Sequence, residues 1–235
     1  MVANDQSGPG SRLVFGASGY IGSNLVPRLL RDGYAVRAVS RNADVLEARQ
    51  WPGVELVSAD ALRPDTLAAA LAGIDTAYYL VHSMAAGRDF GRLDLEAADN
   101  FAAAAAAAGV RRILYLGGLV PDDAESEHIQ SRRDTGSRLR AGTVPVTELR
   151  AGIIVGPGSA AFEVMRDLVF HLPVMVTPKW VRAKSPPVAL DNLLDYLVRL
   201  PDIDAAAGRI FDAAGPETLT YETMMRQLAD VAGRR

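Results

Sequence analysis

An apolar run that leads directly into three evenly spaced glycines is the feature of this chain that most constrains its fold. Residues 13–15 (Leu-Val-Phe) precede Gly16, and Gly19 and Gly22 follow at intervals of three residues. The pattern predicts a buried strand, a tight turn on Gly16 and a helix beginning near Gly19. Glycines at such a turn let the backbone approach a pyrophosphate, which binds the unpaired N–H groups at a helix N-terminus. We therefore expect a dinucleotide-binding loop; the alternative is a turn that uses glycine for geometry alone.

Short β-rich runs alternate with helical stretches along the rest of the chain, which is typical of a doubly wound parallel α/β sheet. We expect a Rossmann-like fold with three parts: a flexible N-terminal segment (1–11), a dinucleotide-binding core (12–152) and a small C-terminal region (153–235) that completes the sheet and the substrate pocket. Strands are predicted at residues 12–15, 35–39, 54–57, 76–80, 113–116, 146–149 and 209–213. Helices are predicted at residues 21–31, 45–49, 64–72, 92–108, 126–140, 160–170, 191–200 and 221–232.

Composition excludes several classes of function. The 235 residues suit one α/β domain, and a net charge of -3 gives no basic face for nucleic acid. The sequence has no apolar run near the roughly 20 residues of a membrane span, and its start does not resemble a signal peptide. It contains no cysteine and only three well-separated histidines, which leaves little from which to build a metal site. We expect a cytoplasmic protein that binds a small molecule, with no metal, nucleic-acid or membrane partner.

The end of the second predicted strand distinguishes between the two nicotinamide cofactors. An acidic residue there binds the ribose 2′-hydroxyl of NAD, whereas a basic residue accommodates the 2′-phosphate of NADP. The chain has Ser40 and Arg41 at this point and no carboxylate before Asp44. A guanidinium can bind a phosphate with two hydrogen bonds, and the serine adds a hydroxyl. We expect NADP; the alternative is NAD with Arg41 as a solvated loop residue.

The glycine spacing G-x-x-G-x-x-G differs from the G-x-G-x-x-G of most dehydrogenases. It resembles the motif of the short-chain dehydrogenase/reductase superfamily, in its extended and atypical branches. Residues 80–84 (LVHSM) and 172–181 (LPVMVTPKWV) are similar to segments of NmrA-like and NAD(P)H-binding proteins, some of them described as sugar epimerases. The resemblance covers residues 13–233 and implies that the C-terminal region forms the floor or lid over a substrate.

The resemblance also implies further cofactor contacts at the ends of the strands. In relatives, a carboxylate at the position of Asp60 binds the adenine amino group, although Asp60 can equally cap the following helix. The end of the fourth strand passes the cofactor ribose, and the exit of the sixth passes the nicotinamide amide. The predicted cofactor-binding residues are Gly16, Ala17, Ser18, Gly19, Tyr20, Ile21, Gly22, Ser40, Arg41, Asp60, Ala61, Leu80, Val81, His82, Gly117, Ala151 and Gly152.

The catalytic pair of the superfamily is not found at its usual place. Relatives use Tyr-x-x-x-Lys on the helix after the fifth strand, with a serine or threonine at that strand's end. Here the strand ends in glycines, and residues 126–140 contain neither tyrosine nor lysine. Counting back from the predicted helix end places His128 at the tyrosine position and Arg132 at the lysine position. Histidine can exchange a proton near neutral pH, and Arg132 can anchor ribose or a carboxylate, but arginine cannot relay a proton. The alternative is that both residues are solvated.

Two classes of function remain open. The first is an NADP-dependent oxidoreductase, or an epimerase-like enzyme, that uses His128 or a bound water as its acid. The second is a protein that senses NADP(H) without turnover, as NmrA-like regulators do, or an assembly subunit of the same fold. The absence of the Tyr-x-x-x-Lys pair from its usual place favours the sensor or assembly subunit. The preserved length of the C-terminal, substrate-side region favours the enzyme, which we prefer. The resemblance also implies a homodimer as an alternative to a monomer.

Overall fold

The computed structural model describes residues 10–42, 44–82, 89–119, 127–171 and 179–233, and within these ranges all side chains except those of residues 90, 127–129, 179 and 180. The strands are β1 (Arg12–Phe15), β2 (Val36–Ser40), β3 (Glu55–Ser58), β4 (Thr76–Tyr79), β5 (Arg112–Gly118), β6 (Val146–Ala151), β7 (Ile153–Val155), β8 (Lys184–Ser185), β9 (Pro187–Ala189), β10 (Ile210–Ala213) and β11 (Leu219–Thr220). The helices are α1 (Tyr20–Arg31), α2 (Asp44–Glu47), α3 (Leu67–Leu71), α4 (Phe90–Ala107), α5 (Glu127–Ala141), α6 (Ala160–His171), α7 (Leu190–Arg199) and α8 (Tyr221–Val231).

The central sheet is parallel and doubly wound. Within the described residues it has seven strands in the order β10-β6-β5-β4-β1-β2-β3, and each neighbouring pair is parallel. The chain winds outward from β1 in one direction through β3 and in the other through β10. In such sheets ligands bind at the carboxyl ends of the strands, where the winding direction reverses. The crevice here lies between β1 and β4, and the expected Rossmann-like fold is confirmed.

Alternating side chains of the strands divide the core into two layers. Val14 packs with Leu25 of α1 and Leu193 of α7 on one face of the sheet. Phe15, its neighbour along β1, points to the other face and contacts the ring of Phe101 in α4, with ring centroids 5.2 Å apart. Successive residues of a strand point to opposite faces, so both faces of this buried sheet need apolar residues. This requirement explains the unbroken apolar run that precedes Gly16.

The C-terminal region contains short strands that the sequence patterns did not reveal. The strands β7 and β9 pair in parallel, and β8 and β11 pair in antiparallel fashion. These four strands are only two or three residues long, too short to show an alternation of apolar and polar residues. They surround a small third core that contains Met165, Val181 and Met225. The segment between α6 and α7 lies partly outside the described residues; its described part is a short helical turn (Lys179–Arg182) followed by β8 and β9.

A buried arginine holds the amino-terminal edge of the sheet. Arg12 is 1% exposed, and its Nη1 donates to Asp75 at 2.8 Å and to Thr76 at 2.5 Å. Its second Nη pairs with Asp202, and its guanidinium lies 4.5 Å from the ring centroid of Tyr34. A buried charge is tolerated when it is paired and hydrogen-bonded in this way. The opposite edge of the sheet, at the carboxyl ends, carries the glycine loop.

Within the described ranges, no helix combines the length and the apolar character needed to cross a lipid bilayer.

Candidate functional site

The turn between β1 and α1 can be built only from glycine at two of its positions. Gly16 has a φ of +95°, and a Cβ atom there would lie 3.0 Å from both the Leu80 carbonyl oxygen and Val81 Cγ1. A Cβ atom on Gly22 would overlap the Gly16 carbonyl oxygen and lie 2.7 Å from the Ala17 Cα. The N–H groups of Gly16 and Ala17 both donate to the Val39 carbonyl at 3.0 Å. The loop is therefore pressed between β2, β4 and its own helix.

The first turn of α1 is prepared to receive an anion. Gly19 is the N-cap residue, and no side chain accepts a hydrogen bond from the N–H groups that follow it. The first turn, from Tyr20 through Ile21 and Gly22, contains no acidic residue. The first N–H groups of a helix have no partner within the helix, and the helix dipole favours negative charge there. The backbone at these predicted positions therefore fits the pyrophosphate of a dinucleotide.

The side chain of Tyr20 serves a different purpose from its backbone. A Cβ atom on Gly156 would lie 3.1 Å from the Tyr20 hydroxyl oxygen, and one on Gly158 would lie 3.4 Å from its ring. The hydroxyl is buried without a partner among the described residues, and burial followed by the nearby Glu163 raises the pKa of Tyr20. The side chain thus attaches the glycine loop to the segment between β7 and α6.

The end of β2 exposes an arginine beside two serine hydroxyls. The hydroxyls of Ser40 and Ser18 lie 3.1 Å apart, and Ser58 donates to the Arg41 carbonyl at 3.0 Å. These contacts fix the Arg41 backbone, whereas its side chain is exposed and has no hydrogen bond or ion pair in the described part of the chain. A fixed backbone with an unengaged guanidinium fits a 2′-phosphate at this position.

The prediction that Asp60 caps the following helix is wrong: the helical turn Pro64–Thr66 has Arg63 as its N-cap residue, with no side-chain hydrogen bond, and Asp60 closes a turn instead. Its Oδ1 accepts a hydrogen bond from the Leu62 N–H at 3.0 Å, which closes the turn after β3. The neighbouring Ala61 is 4% exposed, and its carbonyl accepts from Asn100 at 2.9 Å. Asp60 therefore shapes the turn, and its role at the adenine remains a prediction.

The end of β4 brings a histidine to the crevice. The Leu80 N–H donates to the Phe15 carbonyl at 2.9 Å, so the chain still follows β1 at this point. His82 follows two residues later, and its ring lies 6.3 Å from that of Tyr115 in an edge-on arrangement. Its Nδ1 is buried without a partner in the described ranges. Burial, and then the positive charge of Arg132, lower the pKa of His82 to about 4, against smaller opposing effects of Asp94 and the Leu116 backbone. The imidazole is neutral at pH 7.

A buried carboxylate explains why β5 ends in glycine where relatives have a hydroxyl residue. Glu148 of β6 is 1% exposed; its Oε1 accepts from Arg150 Nε at 2.9 Å, and Arg140 of α5 pairs with the other oxygen. A Cβ atom on Gly117 would lie 3.1 Å from this carboxylate, and one on Gly136 would lie 2.8 Å from it. Sequence reasoning missed this cluster. The sequence feature that indicates it is a glutamate (Glu148) inside an apolar strand together with a glycine (Gly136) inside a helix.

The two candidate catalytic residues, His128 and Arg132, both lie on α5. The helix α5 ends at Ala141, in agreement with the count that placed both residues. The side chain of His128 lies outside the described residues. Arg132 is half-buried, and its Cδ lies 3.4 Å from the position that a Cβ atom on Gly118 would take. Arg132 and His82 therefore occupy the same corner of the crevice, at the carboxyl end of β5.

Close packing at the end of β6 requires glycine at position 152. The N–H of Gly152 donates to the Ala213 carbonyl at 3.2 Å, and a Cβ atom on Gly152 would overlap the Pro186 carbonyl. Glycine is required there whether or not a ligand is bound. The neighbouring Ala151 is 7% exposed and pairs with Gly118 across the sheet. A cofactor contact at Ala151 and Gly152 remains a prediction.

An open cavity of about 600 Å³ lies between α6, α7 and α8. Its walls are mostly apolar, with Met165, Met224 and Leu228 among them, and its polar groups include Asn192 and Gln227. Such a volume and lining are typical of small-molecule sites. The C-terminal region therefore encloses space for a ligand in addition to completing the fold.

Residues 16–143, more than half of the chain, match the family described as NAD(P)H-binding. The chain belongs to that family. Together with the parallel sheet and the glycine loop, this match identifies it as an NAD(P)H-binding protein of the atypical short-chain dehydrogenase/reductase type.

Individual relatives agree with this assignment. The chain is 29% identical to (4-alkanoyl-5-oxo-2,5-dihydrofuran-3-yl)methyl phosphate reductase of Streptomyces griseus, over 94% of this chain and 74% of that protein. It is 27% identical to ceramide reductase of Caulobacter vibrioides, over 80% of this chain and 58% of that protein. The dTDP-glucose 4,6-dehydratase DesIV of Streptomyces venezuelae, solved with NAD bound, superimposes with a TM-score of 0.78 at 20% identity, over 96% of this chain and 82% of that one.

The glycine loop of this NAD(P)H-binding protein provides a first test. Replacing Gly22 with alanine places a methyl group against the Gly16 carbonyl, so we expect the loop to shift. NADPH affinity should fall at least about tenfold and stability by roughly 1–3 kcal/mol. Gly91→Ala in α4 is the matched control, because its Cβ enters open space; we expect unchanged affinity and a stability gain of up to about 1 kcal/mol. Fluorescence titration and urea unfolding measure both. Wild-type affinity in Gly22→Ala would contradict this account of the loop.

A second test concerns the protonation of His82. Its folded-state pKa of about 4 lies below the ordinary value of 6.5. Between these two pH values the unfolded chain binds a proton that the folded chain does not, so stability is lost as the pH falls through this window. We expect wild-type protein to lose about 3 kcal/mol more than His82→Gln between pH 7 and pH 4. The control is His171→Gln, which removes an exposed histidine and should keep the wild-type slope. If the free energy of unfolding of wild type and of His82→Gln fell equally between pH 7 and pH 4, His82 would not be a buried neutral imidazole.

Proposed function

We propose that this protein is an NADP-dependent oxidoreductase that acts on a small molecule. The observation that carries the proposal is the exposed Arg41 at the end of β2, beside the paired hydroxyls of Ser18 and Ser40. A guanidinium with no partner among the described residues, next to hydroxyl donors, suits a 2′-phosphate. An acidic residue at the same place would repel that phosphate, and the chain has none there before Asp44.

The residues of the crevice divide the work of binding and orientation. The first-turn N–H groups of α1 would hold the pyrophosphate, Asp60 the adenine, and the ends of β4 and β6 the nicotinamide half. NADPH, when bound, supplies a hydride to an electrophilic carbon. Tyr78, Tyr79 and Tyr115 are buried in the sheet, and burial raises their pKa values far above 10, so none of them resembles the reactive tyrosine of the superfamily. The proposal therefore assigns the proton to His128 or to a bound water.

Two further features support an enzyme. The curated relatives from Streptomyces griseus and Caulobacter vibrioides are both reductases by name. The cavity between α6, α7 and α8 gives the C-terminal region room for a substrate. The proposal includes a cytoplasmic location, a homodimer as an alternative to a monomer, and no nucleic-acid or membrane partner.

The second candidate function is an NADP(H) sensor without turnover. The observation that favours it is the pair of positions 128 and 132, where histidine and arginine replace the tyrosine and lysine of active relatives. A sensor needs the glycine loop and Arg41 but no proton donor. Both functions therefore predict the same cofactor affinity and differ only in chemistry.

The preference for NADP is tested with Arg41→Ala. Loss of a charge-assisted pair of hydrogen bonds should weaken NADPH binding about 10- to 100-fold and leave NADH binding within about twofold. Arg49→Ala, which removes another exposed arginine after α2, is the matched control and should change neither affinity. Both cofactors are titrated by fluorescence. A wild type that binds NADH as tightly as NADPH would overturn the cofactor assignment.

Turnover distinguishes the enzyme from the sensor. We expect a panel of ketones, enones and aldehydes to contain compounds that drive NADPH oxidation at 340 nm. His128→Ala should abolish this oxidation while keeping the wild-type dissociation constant for NADPH. Unchanged turnover in the variant would remove His128 from the mechanism and leave water as the acid. Tight NADPH binding without turnover across the panel would favour the sensor.

A further inference from the structure

The Arg132 guanidinium lies at the carboxyl end of β5 without an ion pair to any other described residue. The Cδ and Nη1 atoms of Arg132 lie 3.4 Å and 3.7 Å from the position that a Cβ atom on Gly118 would occupy. The side chain is half-buried, and it has no hydrogen bond or ion pair in the described part of the chain. Arginines withdrawn from water are normally paired, because an unpaired charge there loses solvation without compensation. The guanidinium therefore has no partner among the described residues, although it is withdrawn from water.

The acidic residues around this corner are engaged elsewhere. Asp94 of α4 accepts a hydrogen bond from Ser131 at 3.0 Å in a buried contact. Glu148 is held by Arg140 and Arg150 together, which leaves that cluster with one positive charge in excess. Among the described residues, no carboxylate forms an ion pair with Arg132. Arg132, Arg140 and Arg150 together exceed the charge of Asp94 and Glu148 by one, so the described part of this corner favours an anion.

His82 supplies the corner with a hydrogen-bond acceptor. Its ring packs edge-on against Tyr115, whose hydroxyl donates to the Arg132 backbone carbonyl at 2.9 Å, so the imidazole and the Arg132 backbone contact the same tyrosine. One ring nitrogen is engaged with the Leu116 backbone, and Nδ1 is buried and unpaired among the described residues. A neutral imidazole that donates through one nitrogen accepts through the other. Nδ1 therefore fits a ligand group that carries a hydrogen, such as a hydroxyl.

We propose that Arg132 and His82 form a substrate subsite for an organic anion, a carboxylate or a phosphate, that carries a hydroxyl group close to its charge. The guanidinium binds two anionic oxygens with parallel hydrogen bonds, and the hydroxyl donates to Nδ1. This subsite deepens the proposed function, on which it rests, by naming the substrate class. It assigns both residues to positioning, since arginine keeps its proton and His82 stays neutral.

The probes for this subsite are malonate, hydroxymalonate and inorganic phosphate. Each is titrated by calorimetry into protein saturated with NADPH, because the glycine loop and Arg41 would otherwise bind phosphate themselves. We expect millimolar binding of all three. Hydroxymalonate should bind about 2- to 10-fold more tightly than malonate, since it alone adds the hydrogen bond to Nδ1. A preference for phosphate over malonate would indicate a phosphate ester as substrate, and the reverse preference a carboxylate.

Three variants separate the roles of the residues. Arg132→Met should weaken the binding of all three anions about 10- to 100-fold and leave the NADPH dissociation constant within twofold. Arg133→Met removes the adjacent, exposed arginine of α5 and should change nothing. His82→Leu should keep malonate binding and erase the advantage of hydroxymalonate. Should Arg132→Met fail to fold, Arg132→Lys keeps the charge and should lose affinity for malonate more than for phosphate.

The outcomes that overturn the subsite differ from those that overturn the function. The subsite is wrong if wild-type protein with bound NADPH takes up no anion at about 50 mM, or if Arg132→Met binds anions as the wild type does. It is also wrong if Arg132→Met loses affinity for NADPH alone, which would assign the arginine to the cofactor. Failure of the wild type to bind NADPH would instead refute the proposed function.

Discussion

Contact between the backbones of Gly16 and Gly22 is the constraint on which the rest of this structure depends. With no side chain at either residue, α1 starts directly above the end of β1, and its N–H groups face the crevice between β1 and β4. The same absence of side chains lets the loop touch the Leu80 carbonyl, which places the end of β4, and with it His82, beside the cofactor loop. One methyl group at Gly22 would separate the helix from the strand and move both walls of the site.

A buried ion cluster lies beside the carboxyl ends of β5 and β6. The resemblance to short-chain dehydrogenases/reductases implies a hydroxyl residue at the end of β5 and a tyrosine–lysine pair on α5, the helix that follows. Here Glu148 fills the space under Gly117 and ties β6 to α5 through Arg140, and its neighbour Arg150 completes the ion cluster. A buried carboxylate of this kind needs a paired cation, because removing both arginines would leave an uncompensated buried charge. The glycine at 117 is therefore a consequence of the ion cluster, and a serine there would press on the carboxylate.

The sequence predicted those parts of the fold that local rules control. Apolar runs identified the seven strands of the main sheet to within one or two residues; the five inner strands are mostly buried on both faces, whereas the edge strands β3 and β10 are partly exposed. The glycine spacing identified the loop, because close backbone contact excludes other residues.

The short strands β7, β8, β9 and β11 were missed, since two or three residues carry no periodicity. The cluster around Glu148 was missed for a related reason: its members lie on α5 and β6, and only folding brings them together. A cofactor contact at His82 stays a prediction, and its neutral state depends on burial and on Arg132, which no local pattern encodes.

The charge states at the β5 corner determine what kind of mechanism the crevice can support. In the tyrosine–lysine pair, the lysine lowers the pKa of a phenol that then exchanges its proton with the substrate. An arginine side chain donates hydrogen bonds and does not relay protons, and the positive charge of Arg132 helps to keep His82 unprotonated. Neither residue can therefore deliver a proton at pH 7, although both can orient oxygen atoms. Under the proposed function, positioning and proton delivery, which one tyrosine combines in relatives, fall to different groups. The proposed donor is His128 at the start of α5 or a bound water.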